Sequence, residues 1–247
     1  MKQIFIYVGY FISLLIIQPA FALDNTEPDN GRRLDVISFI NTLKAENSDY
    51  FNSHTIDHFA GLTKGQYPMA TVITCSDSRV QTNMMSANPE GKLFMIRNIG
   101  NQIATAEGSV EYGVHHLNTP VLLIVGHSRC GAISAATSNY SRESPAIKRE
   151  LDTITISKDL TNLSGVIANV HNQVAAAMLK FDEPVRDGKL TVIGTVYDFA
   201  DDLHHGLGRL NIINVNGEAD PKKLANFENL LFKARPPALK KTKKSKH

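Results

Sequence analysis

The run Val121-Leu122-Leu123-Ile124-Val125 sets five apolar residues in succession. A strand that is apolar on both of its alternating faces belongs inside a sheet that is covered on both sides. Met69–Thr74 is a second short apolar run, Leu93–Ile96 a third, and Leu190–Val196 and Leu210–Val215 follow later. Between them lie stretches with helical spacing. Leu34, Ile37, Ile40 and Leu43 share one face of residues 34–51, and Thr105–Leu117 has the same kind of pattern. Gly131–Thr137 is rich in alanine, and Val166, Val170, Val174 and Met178 recur at every fourth position of Val166–Leu179. Strands alternating with helices predict an α/β fold: a single domain around a mainly parallel β-sheet flanked by helices, with an N-terminal helical arm. A chain of 247 residues with 43% hydrophobic side chains can bury such a core, and no internal repeat or interior linker divides it.

Functional groups in sheets of this kind gather outside the carboxyl ends of the strands. Cys75 closes one apolar run, and His127 follows another that is expected to stop at Gly126. Two short segments therefore fall at one sheet edge, Cys75-Ser76-Asp77-Ser78-Arg79 and His127-Ser128-Arg129-Cys130, and they contain the only two cysteines of the chain. Two thiolates and an imidazole are good ligands for Zn²⁺, and catalytic zinc sites often combine three protein ligands with one open position. A helical turn beginning at Ser128 would aim His127 and Cys130 at one point. Asp77 and Arg79 suit a role beside the metal. Arg79 can hold the carboxylate bidentately and off the zinc, leaving Asp77 to orient a bound water. In a closed state Asp77 is a fourth ligand. The same residues are compatible with a Cys75–Cys130 disulfide, with two buried free thiols, or with a four-ligand structural zinc.

The ends of the chain differ from its body. Residues 1–22 have the layout of a secretory signal peptide, with Lys2, the apolar run Ile4–Ile17 and the small-x-small pattern Ala20-Phe21-Ala22. That layout predicts an exported protein, periplasmic or secreted, with a folded body over residues 23–232. Residues 233–247 carry seven Lys/Arg and no acid, and removing these seven and Lys2 takes the formal charge from +2 to −6. A basic tail with Pro236-Pro237 is expected to be disordered and to make at most weak contact with an anionic envelope surface. Nucleic acid is not an expected partner.

The two segments resemble the zinc motifs of the β-class carbonic anhydrases. The similarity continues through Arg97-Asn98-Ile99-Gly100-Asn101, Glu111-Tyr112-Gly113-Val114 and Tyr197-Asp198, and spans about residues 34–217. It implies zinc-dependent, reversible hydration of CO₂ to bicarbonate and a proton by zinc-bound hydroxide, with Cys75, His127 and Cys130 as ligands and Asp77 and Arg79 as catalytic residues. Lys64-Gly65-Gln66-Tyr67-Pro68 resembles the family's plant-like style of active site. That style implies that the Gln66 amide donates to bicarbonate at a subunit boundary, that Phe94, Ile99 and Tyr112 line a small apolar slot for CO₂, and that the chain is a homodimer or tetramer. Hydrolysis of a CO₂ analogue, carbonyl sulfide or carbon disulfide, is the alternative reaction at such a site. A non-catalytic zinc scaffold is the alternative use of the fold.

Overall fold

A computed structural model describes residues 36–226. The expected signal peptide at 1–22 and basic tail at 233–247 lie outside the described residues. Two helices, α1 (Val36–Ser53) and α2 (Ile56–Leu62), precede β1 (Ala70–Cys75), β2 (Leu93–Asn98), α3 (Glu107–Glu111) and β3 (Val121–His127). Then come α4 (Gly131–Ala136), α5 (Pro145–Leu151), α6 (Asn162–Lys180), α7 (Asp182–Arg186), β4 (Thr191–Asp198) and β5 (Arg209–Val215). The chain divides into two compact units at Gly61/Leu62. In the first, α1 buries none of its residues, and Ile40 and Leu43 of its apolar stripe are exposed. No helix among the described residues is long and apolar enough to cross a membrane.

The second unit holds the expected α/β sheet, in the order β2-β1-β3-β4-β5. The first four strands are parallel and β5 is antiparallel to β4. Val166, Val170, Val174 and Ala177 of α6 are buried in the core. Two strand glycines let that helix approach. A Cβ on Gly126 would lie 2.7 Å from Val170 and 3.0 Å from Val166, and one on Gly194 would lie 2.8 Å from both Val170 and Val174.

Gly126 is thus a packing glycine inside β3, and the strand runs on through His127 rather than stopping before it. The helix expected at Gly131–Thr137 is present as α4, but the supposed helical turn at Ser128 is instead a turn in which Arg129 adopts a φ of 54°. Thr105–Leu117 is also not one continuous α-helix. A 3₁₀ turn at Ala104–Ala106 leads into α3, and Tyr112–His116 is a π-turn. Thr119 donates to the Gly113 carbonyl from both its N–H and its hydroxyl at 3.2 Å, and Leu117 N–H bonds back five residues to Tyr112. Gly113 itself presses on β1, where an added Cβ would lie 2.0 Å from Thr71 Oγ1.

Candidate metal centre

Cys75 is the last residue of β1 and pairs with Asn98, while His127 is the last of β3 and pairs with Tyr197. Because β1 and β3 are adjacent and parallel, both side chains arrive at the same sheet edge. Cys130 follows the Ser128–Arg129 turn, immediately before α4. The two sulfurs and an imidazole nitrogen lie within 4.8 Å of one another, and all three residues are buried.

The donor set fits Zn²⁺. His127 Nδ1–H donates to the Ser128 carbonyl at 3.0 Å, which fixes the tautomer and leaves Nε2 with its lone pair. That Nε2 is buried and has no hydrogen-bond partner among the described residues. Both cysteines are free. A hydrogen bond from the Cys130 thiol brings Cys75 down to about 4, with burial opposing. The same bond, together with burial, pushes Cys130 well above its ordinary range. Two thiolates therefore cannot coexist in this dry pocket without a cation to neutralise them, and zinc does that.

Asp77 and Arg79 stand beside the cluster as a clamped pair. Arg79 donates from Nε to Oδ1 at 2.9 Å and from Nη2 to Oδ2 at 2.7 Å, and its backbone N–H also reaches Oδ1 at 3.0 Å. These bonds lower the Asp77 carboxyl to about 2. Asp77 Oδ2 is 3.8 Å from His127 Nε2. With both oxygens bonded to Arg79, Asp77 is here the arginine's partner. Arg97 supports the loop from below, donating to the Asp77 carbonyl at 2.7 Å and to Gln81 at 3.0 Å.

Several supporting groups carry no signal in the sequence that points to zinc. The Phe199 ring stacks on His127, 6.0 Å between centroids, and the Arg79 guanidinium lies 4.8 Å from the same ring. Phe199 is held there from two sides. Its N–H donates to Ser128 Oγ at 3.2 Å, and the buried Asp198 carboxylate gathers the N–H groups of Ala200, Asp202 and Leu203. Burial pushes the Asp198 carboxyl up, but those donors outweigh it and leave it lowered. A second set, Gln102, Asn169 and Gln173, lies buried behind Cys75. Asn169 and Gln173 stand four apart on the apolar face of 166–179, and two amides on a buried face are the sequence signal that marks them.

The residues of the expected substrate slot do not gather at the cluster within one chain. The Phe94 and Tyr112 rings meet, 5.7 Å between centroids, and His116 stacks on the far side of Tyr112 at 4.4 Å. Phe94, however, pairs with Thr71, four residues before Cys75 along β1, which is roughly 13 Å of strand. Gly113, next to Tyr112, also packs on Thr71. Gln66 is exposed in the segment ahead of β1. Only Ile99, following Asn98 at the end of β2, lies level with Cys75.

The family model described as carbonic anhydrase matches residues 70–204. Carbonic anhydrase 2 of Mycobacterium tuberculosis is 32% identical over 166 residues, which are 60% of this chain and 79% of that protein. Beta carbonic anhydrase 5, chloroplastic, of Arabidopsis thaliana is 27% identical over 168 residues, 59% of this chain and 56% of that protein. Among solved structures, a tetrameric β-carbonic anhydrase of Sordaria macrospora superposes with a TM-score of 0.59 at 26% identity, covering 72% of this chain and 97% of that one.

Proposed function

This chain belongs to the β-class carbonic anhydrases, and from that premise we propose how its own residues divide the reversible hydration of CO₂ to bicarbonate and a proton. Cys75, His127 and Cys130 would hold Zn²⁺, which when bound would supply the acidity that makes water a hydroxide-like nucleophile near neutral pH. Arg79 keeps the Asp77 carboxylate ionised, oriented and off the metal. Asp77 accepts a hydrogen bond from the attacking water and so turns a lone pair toward CO₂. Phe199 packs its ring against His127 and beneath the Arg79 guanidinium, helping to fix both.

The observation that carries this division is the double bond of Arg79 to a carboxylate whose Oδ2 stands 3.8 Å from His127 Nε2. Stopped-flow CO₂ hydration and zinc content of Asp77→Asn test it. Retained zinc with lost turnover supports the assignment, and unchanged turnover defeats it.

CO₂ is apolar and is captured by a small apolar slot. Ile99 is in place at the centre, whereas Gln66, Phe94 and Tyr112 lie at the other end of β1. A second copy that brings these three to the first copy's metal would complete the slot. We therefore assign the working unit as a homodimer or a tetramer of such pairs. Exposed Tyr67, Met69 and Tyr112 support it, because large apolar groups near one strand end are what a second copy would cover. Export to the periplasm or beyond belongs to the same proposal and is supported by the charged start, apolar run and Ala20-Phe21-Ala22 pattern of residues 1–22. The seven basic residues of 233–247 support weak contact with an anionic envelope surface.

A further inference from the structure

A chain of buried amide side chains runs behind the metal centre without touching any reacting group. Gln102 is wholly buried, Asn169 is 1% exposed and Gln173 is 7% exposed. Gln173 Nε2 donates to Gln102 Oε1 at 2.9 Å, and Gln173 Oε1 accepts the Ile103 N–H at 2.8 Å. Gln102 Nε2 donates to Asn169 Oδ1 at 2.8 Å and to the Gly100 carbonyl at 2.6 Å. Asn169 Nδ2 donates to that same carbonyl at 3.0 Å. Asn98 closes the turn, accepting the Gln102 N–H at 2.9 Å and donating to the Gln102 carbonyl at 2.6 Å.

All these bonds converge on one short turn. Gly100 and Asn101 both adopt positive φ, 75° and 52°. A Cβ on Gly100 would lie 2.7 Å from Ile154, so its place also depends on close packing. The Gly100 carbonyl is gripped by two amides, and the turn springs from Asn98, which pairs with Cys75 across the sheet and accepts the Ser76 N–H at 2.9 Å. Apolar side chains would fill the same space without needing partners. A buried polar network whose members are satisfied instead fixes one backbone arrangement.

We propose that Gln102, Asn169 and Gln173 are positioning residues for the metal centre, holding the 98–103 turn against the end of β1 and so fixing the place of Cys75. Outer groups that orient a ligand set the strength of metal binding. A thiolate whose place against the metal shifts also changes the energy of its sulfur-to-metal charge transfer. The inference rests on Cys75 being a metal ligand.

The test uses the full chain loaded with Co²⁺, whose sulfur-to-metal charge-transfer bands report on the thiolates, and Zn²⁺ competition against a chelator. Asn169→Ala and Gln173→Ala each break the network. Val174→Ala is the control, because Val174 is equally buried on α6 but packs over Gly194 of β4. In the two network variants the bands shift and zinc affinity falls about tenfold, whereas Val174→Ala lowers the melting temperature and leaves both readings at the parent's values. Network variants whose bands and affinity match those of Val174→Ala overturn the proposal. Should Asn169→Ala fail to fold, Gln173→Ala, at the more open end of the network, decides it. A parent protein without thiolate bands overturns the metal reading of Cys75 as well, which separates the two failures.

Discussion

Arg79 grips Asp77 through two parallel hydrogen bonds, Nε to Oδ1 at 2.9 Å and Nη2 to Oδ2 at 2.7 Å, and the same guanidinium faces the Phe199 ring. Only a planar fork makes that double contact, so lysine does not replace it. Arg79→Ala is expected to keep its zinc and lose about 10²-fold in kcat, the lower end of what a positioned proton-handling group contributes. Arg79→Lys, which restores charge but not the fork, should fall between that variant and the parent. Zinc analysis beside stopped-flow hydration checks both, and parental kcat in either variant removes the dyad from the mechanism.

The pH dependence follows from the sign of the Asp77 shift. Its carboxyl is depressed from 3.8 to about 2. A depressed carboxyl contributes stability above its unfolded value, and that contribution is lost as pH falls through the folded value. Asp77 therefore stays ionised across the neutral range and adds no limb there. We expect kcat/KM for CO₂ to rise from neutral to alkaline pH with an apparent pKa at or above ~7, the range in which zinc acidifies water. In Arg79→Ala the rise should move to higher pH, because the released carboxylate competes for the nucleophile's position. A flat profile in the parent contradicts this account.

Gly126→Ala probes the packing that delivers His127. The new methyl would meet Val170 at 2.7 Å and Val166 at 3.0 Å. Overpacking of this kind costs about 1–3 kcal/mol. Because His127 is the next residue, zinc retention should weaken along with thermal stability. Thermal unfolding with metal analysis checks this, and an unchanged melting temperature would show that α6 yields freely.

Assembly of the slot from two copies makes a complementation experiment possible. Cys75→Ser chains lack a metal ligand but keep Gln66, Phe94 and Tyr112, and Tyr112→Ala chains have the reverse. Each is expected to have low activity alone, and refolding them together should restore activity through mixed pairs. Sedimentation of the mixture confirms pairing. Activity no greater than the sum of the separate chains would place slot and metal within one copy.

Much of this architecture is legible in the sequence because its signals are local. The apolar runs at Met69–Thr74 and Pro120–Val125 mark β1 and β3, and Cys75 and His127 at their ends mark the edge where the metal lies. Gly126 misleads, since a glycine chosen for its missing Cβ against Val170 has the same letter as one that ends a strand. The π-turn at Tyr112–His116 is hidden because its cause, Gly113 lying on Thr71, joins residues far apart in sequence. The start of α5, where the Ser144 hydroxyl accepts the Ile147 N–H and Pro145 takes the first helical position, is a local cap. The places of Phe94 and Tyr112 relative to Cys75 depend on strand register, which only the folded chain displays.

CO₂ hydration by this chain depends on a zinc held together by Cys75, His127 and Cys130. Zinc per chain, measured with CO₂ hydration on the parent and on Cys130→Ser, tests it most directly. About one zinc is expected in the parent, with loss of metal and activity in equal proportion in the variant. A Cys130→Ser protein with full zinc and parental turnover would contradict it.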